Sequence, residues 1–339
     1  MTAWIALDIG GANLKAADGA GFAVSRPFAL WRHSADLPAA IAELLAACPP
    51  AERLAVTMTG ELADCFPTKA EGVAAIVHAV QAAASPGSIR VYLTNGSWAS
   101  PAQAIANPLL AAASNWHALA RFSGRFVPAG AGLLIDIGST TCDVIPLRDG
   151  RVAARGRTDP ERLAHGELVY TGVQRSPVCA VVGRLGWPSR QTSCPVAQEL
   201  FATTWDAYLL LGDLPEEPGS AHTADGRPAT RQHAHDRLAR MICADRTMVS
   251  RADALAMAHQ VANAQCDQVA AAVRTVLETQ GARPSGVVVS GLGEFLARRA
   301  LARNRIDAPV ISLGGVLGRE VSRAATAHAL AVLARENGD

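Results

Sequence analysis

The sequence predicts a mixed α/β protein built from two related halves. Three observations carry this prediction. Short apolar strands alternate with helical segments, the pattern of a largely parallel sheet covered by helices. One strand-and-turn unit occurs twice, at residues 6–15 and again at 134–143, about 128 positions apart. The length of 339 residues suits two domains at roughly 100–200 residues each.

The elements follow in order. Residues 3–9 (AWIALDI) read as a strand that runs into the turn Gly10-Gly11, and 12–17 and 22–30 as two more strands. A helix is expected over 36–47, with Asp36 as its N-cap and Pro49-Pro50 as its stop. A strand at 53–58, a helix at 70–84, a strand at 89–94 and an Ala-rich helix at 101–113 complete the first half. The pattern restarts at 132–137, with further strands at 142–147 and 151–156 and an Asp149-Gly150 hairpin turn between them. A helix over 251–280, a strand at 286–290, a helix at 294–303, a strand at 309–313 and a helix over 318–336 close the chain. Residues 176–250 are rich in Pro and small polar residues and read as an insertion with helices at 197–211 and 229–243. The expected organisation is a first domain of 1–128 plus 318–339 and a second of 129–317.

Composition narrows the functional classes. Half of the residues are hydrophobic, enough for a sizeable core, and the formal net charge of +1 supplies no basic field for nucleic acid or an anionic membrane surface. No apolar run of 18 residues and no charged-then-apolar leader is visible, so a cytoplasmic protein without a membrane span is expected. The seven scattered cysteines form no CxxC pair and are expected as reduced thiols. The six tryptophans stand singly and read as core or boundary residues. His222, His233 and His235, with Asp225, Asp236 and Cys243, have partial metal-ligand spacing, but a polar loop explains them as well.

The chemistry lies in the repeat. A glycine turn between two strands aims backbone N–H groups at one point, and glycine lets a phosphate approach without a Cβ in the way. A carboxylate at the end of the preceding strand can hold a hydrated divalent cation, which bridges to phosphate oxygens. Asp8 with Gly10, Gly11 and Asn13, and Asp136 with Gly138, Ser139, Thr140 and Thr141, supply these parts twice. Lys15 adds a point charge, and Asp143 is a candidate base or outer metal ligand. A third unit, Ser290-Gly291-Leu292-Gly293-Glu294, places a glycine turn before a helix N-terminus, where an anion or nucleotide is favoured. Thr57, Thr59 and Glu61 follow a strand that should end at the same place. They read either as substrate contacts or, for Thr59 and Asp64, as helix caps.

The three units, in this order, resemble the phosphate 1, phosphate 2 and adenosine motifs of the actin-like, sugar-kinase and heat-shock ATPase superfamily. That likeness implies two ribonuclease H-like domains with a cleft between them. LLIDIGSTTCDVIPL is similar to the hydantoinase A/oxoprolinase branch. VTMTGELAD (56–64) and GELVYTGV (166–173) resemble a smaller group linked to tetrahydromethanopterin-dependent one-carbon transfer and to the synthase step of methanofuran biosynthesis. The resemblance implies a transferase that joins an aminomethylfuran methyl diphosphate to a tyramine- or tyrosine-type phenol and releases diphosphate. Mg2+ would be held by Asp8 and Asp136, and Asp143, Glu61 and Glu167 are the candidate bases. Tyr170 and Arg175 are substrate contacts in this reading, Gly291 and Gly293 part of the phosphate site, and a homodimer stays open. An ATP-dependent kinase or an amidohydrolase of the oxoprolinase type, with ATP as cofactor, is the alternative. The first turn carries Gly-Gly-Ala-Asn where many sugar kinases carry a Thr, and the chain is short for a sugar kinase.

Overall fold

The computed structural model describes residues 3–84 and 88–337. Two sheets dominate it. The first is ordered β3-β2-β1-β4-β5-β6, from β1 (Trp4–Ile9), β2 (Asn13–Ala17), β3 (Ala23–Pro27), β4 (Arg53–Met58), β5 (Ser88–Tyr92) and β6 (Trp98–Ala99). Strands β1, β2 and β3 form an antiparallel meander, and β4 and β5 add in parallel on the other side of β1. The second sheet repeats the plan with β7 (Ala131–Ile137), β8 (Cys142–Arg148), β9 (Arg151–Val152), β10 (Leu168–Val169), β13 (Gly286–Ser290) and β14 (Val310–Ser312). Here β8 is antiparallel to β7, while β13 and β14 are parallel to it. A separate hairpin pairs β11 (Arg184–Trp187) with β12 (Thr192–Pro195).

Side chains alternate across a strand, so each sheet has two apolar faces to cover. In β1, Ile5, Leu7 and Ile9 face outward, where Ile41 and Leu44 of the helix Leu37–Ala46 and Val73, Ile76 and Val80 of the helix Lys69–Ala83 cover them. Trp4 and Ala6 face inward with Ala55 and Tyr92, onto Ala118, Leu330 and Leu333. In β7, Leu133, Ile135 and Ile137 face outward, beneath Val261, Val269 and Val273 of the helix Arg251–Gln280. Leu134 faces inward with Ile145, Leu147 and Val288, onto Trp116, Leu119, Ala325 and Ala329. The inner faces of both sheets therefore rest on the same two helices, Asn115–Ser123 and Ala325–Glu336. Alanines on these helices let the layers approach closely.

Several elements depart from the sequence reading for local reasons. Asp36 does not cap its helix, because the 3-10 turn Ser34–Asp36 already puts its backbone in the helical region. The expected helix at 101–113 breaks into Pro101–Ala106 and Pro108–Ala111, since Pro108 has no N–H to continue it. The closing helix expected over 318–336 is broken between Ser322 and Ala325, leaving Arg319–Ser322 and Ala325–Glu336, and a further short helix, Leu313–Leu317, ends at Gly318, which has φ +78°. The strand expected at 151–156 keeps two residues, because the N–H groups of Arg155 and Gly156 turn toward the Glu167 carboxylate. Segment 176–250 packs into the second sheet's outer core through Trp205, Tyr208, Leu238 and Met241. Its longer helices are Thr204–Leu211 and Arg231–Arg240, with a short turn of helix at Val178–Val181.

Other expectations hold in detail. Asp149 and Gly150 both have positive φ, +48° and +73°, as a primed hairpin turn requires. The helix Arg251–Gln280 begins with a Ser250/Asp253 capping box and ends at Gly281 in the left-handed conformation. All seven cysteines are unpaired. Among the described residues no helix is long and apolar enough to cross a membrane.

The shared helix layer gives a testable consequence. Leu330 is fully buried between the sheets, so Leu330→Ala should cost about 2–5 kcal/mol of unfolding free energy in urea titration. A loss below about 1 kcal/mol would show that the layer is not tightly packed.

Candidate functional site

The period-two alternation that buries the sheets also builds the site. Asp8 lies in step with Trp4 and Ala6, so it sits on the inner face at the last turn of β1. Asp136 lies in step with Leu134 on the inner face of β7. Cross-strand register adds the partners: Asp8 pairs with Lys15 and Thr57, and Asp136 with Asp143 and Ser290. The two clasps thus face the same space from opposite sheets. The turns are closed alike, by Gly10 N–H donating to Asn13 O (3.0 Å) and Gly138 N–H donating to Thr141 O (2.9 Å). Among the described residues the N–H groups of Gly11, Ala12, Ser139 and Thr140 have no protein acceptor, so they are free for an anion.

Each turn is braced from below. The Gly11 carbonyl accepts from Leu30 N–H at 3.0 Å, and the Ser139 carbonyl from Gln174 (3.1 Å) and Arg175 (2.9 Å). Gly172 packs so tightly under the second turn that a Cβ there would meet Thr140 N at 2.3 Å. The Arg175 guanidinium lies 5.2 Å from the centre of the Trp31 ring, joining the brace of one clasp to that of the other. Thr59 is exposed beside Gly10, and Thr68 caps the following helix in its place. Tyr170 is 67% exposed just beyond β10.

The repeat is asymmetric in charge. Where the first copy pairs Asp8 with Lys15 (3.6 Å), the second pairs two acids. Burial raises the Asp8 carboxyl above its ordinary range against the pull of Lys15. Burial, with Asp143 and more weakly Asp8 adding, raises Asp136 to about 6 against Ser290 and Lys15. That Lys15 and Asp8 act on Asp136 shows the clasps to be within electrostatic reach. Asp8 Oδ1 is buried without a hydrogen-bond partner. A buried carboxylate oxygen with nothing to bind, near a second raised acid, fits a hard divalent cation such as Mg2+. That ion is commonly held by one or two carboxylates plus waters and phosphate oxygens. Among the described residues no group of three or more His, Cys, Asp or Glu is placed to cage a metal.

The three candidate bases separate clearly. Asp143 is ion-paired with Arg162, whose guanidinium also stacks 4.2 Å over Trp116. Glu167 accepts from Arg155 N–H (2.6 Å) and Gly156 N–H (2.9 Å), so both of its oxygens serve the backbone. This corrects the expectation that Glu167 is free for catalysis. Glu61 differs. It is buried at 1% exposure, its Oε2 has no partner, and burial pushes its carboxyl up to about 7 against Lys69 at 3.8 Å. It follows Gly60, which touches Gly10 and donates to Ile9 O at 3.0 Å.

Other residues of the sequence reading have packing roles. The Thr57 hydroxyl is fully buried against Ser114 at 2.8 Å. Gly291, with φ +85°, lies where a Cβ would meet Ile137 O at 2.3 Å, and Gly293 where it would meet Ile137 Cγ2 at 2.5 Å. These glycines allow the third turn to press against the second clasp. Glu294 binds Ser312 (2.6 Å) and Gly314 N–H (3.0 Å). In the inserted segment His235 bonds Val249 O (2.8 Å) and His233 bonds Thr230, while Asp225 and Asp236 pair with arginines. A cavity of about 670 Å³ lined by His117, Arg121, Asp149, Arg151 and Glu336 lies apart from the clasps and contains none of their residues. Lys69, Asp159 and Arg162 escaped the sequence reading: they meet across 90 residues, and the only local trace is the Thr158/Glu161 capping box before Arg162.

Comparison with known proteins adds to this geometry. Residues 52–326 match the hydantoinase/oxoprolinase family. The (4-{4-[2-(gamma-L-glutamylamino)ethyl]phenoxymethyl}furan-2-yl)methanamine synthase of Methanocaldococcus jannaschii is 32% identical over 338 residues, 99% of this chain and 98% of that one. A protein of the same name from Methanococcus vannielii is 32% identical over 203 residues, 59% of this chain and 89% of that one. Among solved structures, nucleotide-free acetone carboxylase superposes with a TM-score of 0.48 at 14% identity, covering 94% of this chain and 51% of that one. An archaeal actin homolog superposes with a TM-score of 0.47 at 12% identity over 99% of each chain.

The raised acids make stability fall with pH. The folded pKa of Glu61 exceeds its ordinary value of 4.5, so its contribution is full below about 4.5 and lost as pH rises through about 7. Glu61→Gln, which mimics the protonated form, should therefore gain on the wild type by about 2–3 kcal/mol between pH 4.5 and 8 in urea unfolding. A difference that stays constant across this range would contradict a buried carboxyl whose second oxygen has no partner.

Proposed function

The chain belongs to the hydantoinase/oxoprolinase family, and from that membership we propose that it is a transferase of methanofuran-type cofactor biosynthesis. It joins an aminomethylfuran methyl diphosphate to a tyramine- or tyrosine-type phenol and releases diphosphate. One observation carries the reading: the synthase relative aligns over 99% of this chain, so both clasps and Glu61 lie within the shared length.

The chemistry matches what the residues offer. The furan oxygen stabilises positive charge on the exocyclic methylene, so the bond from that carbon to the diphosphate oxygen breaks with its electron pair going to diphosphate. The phenol oxygen forms the new bond to the same carbon. Its proton passes to Glu61, the one candidate base with a buried and unpartnered oxygen. The free N–H groups of Gly11, Ala12, Ser139 and Thr140 hold the diphosphate, and Lys15 adds charge to it. Asp8 and Asp136 would hold Mg2+, which when bound neutralises charge on the leaving diphosphate. Thr59, Tyr170 and Arg175 would contact the phenolic acceptor in this reading. The balance needs no nucleotide, because the diphosphate leaves with its own bonding electrons. The reaction acts on small, water-soluble molecules and fits a cytoplasmic setting.

Incubated with the furan diphosphate and a tyramine or tyrosine acceptor, the purified chain should form the aryl ether and diphosphate in equal amounts without ATP. Glu61→Gln should lower turnover about 10²–10⁴-fold. No ether with any such acceptor would sink the transferase. ADP formation from added Mg-ATP would point to the kinase or amidohydrolase instead.

A further inference from the structure

A line of charge, buried at Glu61, Arg162 and Asp143 and partly exposed at Lys69 and Asp159, connects the two halves beside the clasps. It starts at Glu61, after β4 of the first sheet. Lys69, at the start of the helix Lys69–Ala83, places its Nζ 3.8 Å from Glu61 Oε1 and 2.9 Å from Asp159 Oδ2. Asp159 belongs to the other half, on the helix Asp159–Ala164, and reaches Arg162 at 3.5 Å. Arg162 is 2% exposed and pairs with Asp143, the cross-strand neighbour of Asp136. So one ammonium is shared between a carboxylate of each half, next to a base candidate whose second oxygen has no partner.

The geometry decides how that ammonium is divided. Its distance to Asp159 is that of a full charge-assisted hydrogen bond, whereas its distance to Glu61 is that of a loose ion pair. Asp159 therefore draws the cation away from Glu61. Asp159 also lies near enough to bear on Glu61 as a like charge, and the remaining groups acting on it are backbone. Glu71, the other acid in the first turn of that helix, bonds Thr68 at 2.8 Å.

We propose that Lys69 is a positioning residue, and that its sharing between Glu61 and Asp159 sets the basicity of Glu61 through contact of the two halves. The proposal rests on Glu61 being the base that takes the phenol proton. Lys69 and Asp159 touch no reacting atom in this account. With Asp159 in place, Glu61 is only weakly compensated and holds a proton well. Without Asp159 the ammonium moves onto Glu61 and makes it a weaker base.

The test uses opposite signs. In the pH profile of kcat/KM, Lys69→Met removes the opposing charge and should move the acidic limb up by about one pH unit. Asp159→Asn frees the ammonium and should move the same limb down by a similar amount, and Lys69→Arg should restore the wild-type profile. Lys69→Gln replaces the methionine variant if that one is unstable. The carboxyl of Glu61 is followed in parallel by 13C NMR titration of the labelled protein, which reads the coupling without turnover. Opposite shifts in both readouts support the proposal. Shifts of the same sign, or none, in proteins where Glu61→Gln abolishes turnover, overturn it. If Glu61→Gln retains turnover, the base assignment falls instead. The NMR titration then decides the charge sharing alone: opposite shifts uphold it, and unchanged titration overturns it.

Discussion

Burying a carboxylate at the end of a strand is costly unless a cation or hydrogen-bond donors compensate it. This protein does so twice, at Asp8 and Asp136, because a duplicated strand-turn-strand unit places each acid on the inner face of its sheet. The two compensations differ. Asp8 has Lys15 across the strand, while Asp136 faces a second acid, Asp143, and is offset only by Ser290 and Lys15. In the proposed reaction the excess of buried acid between the halves would attract a cation, and the bare turn N–H groups beside it would attract an anion. A magnesium diphosphate would answer both demands at once.

The alternation of apolar residues made the strands legible, and Asp-Ile-Gly in each half made the repeat legible. The helix Arg251–Gln280 could be read to the residue because its start and stop are both local, a Ser250/Asp253 box and Gly281. Glu167 could not be told from a catalytic acid, since its partners are backbone N–H groups with no side-chain signature. Asp36 looked like a cap, but the turn before it decides its conformation. The Lys69–Asp159 contact spans 90 residues, and no local pattern announces such a pair. Segment 176–250 read as an insertion because prolines interrupt its periodicity, and its aromatic residues complete the outer core of the second sheet.

The inner layer links these features to function. Trp116 packs between the sheets and also lies beneath Arg162, so the helix that joins the halves supports the charge line that crosses them. Arg175 over Trp31 makes a second bridge at the mouth.

The central claim is that Asp8 and Asp136 serve one shared ion. Calorimetric titration of Mg-diphosphate into the wild type, Asp8→Asn, Asp136→Asn and the double variant tests it most directly, since the substitution keeps the shape and removes the charge. The account predicts tight binding by the wild type, a large loss in either single variant, and a double variant no weaker than the singles. Losses that add, or one variant that binds like the wild type, would contradict a shared site.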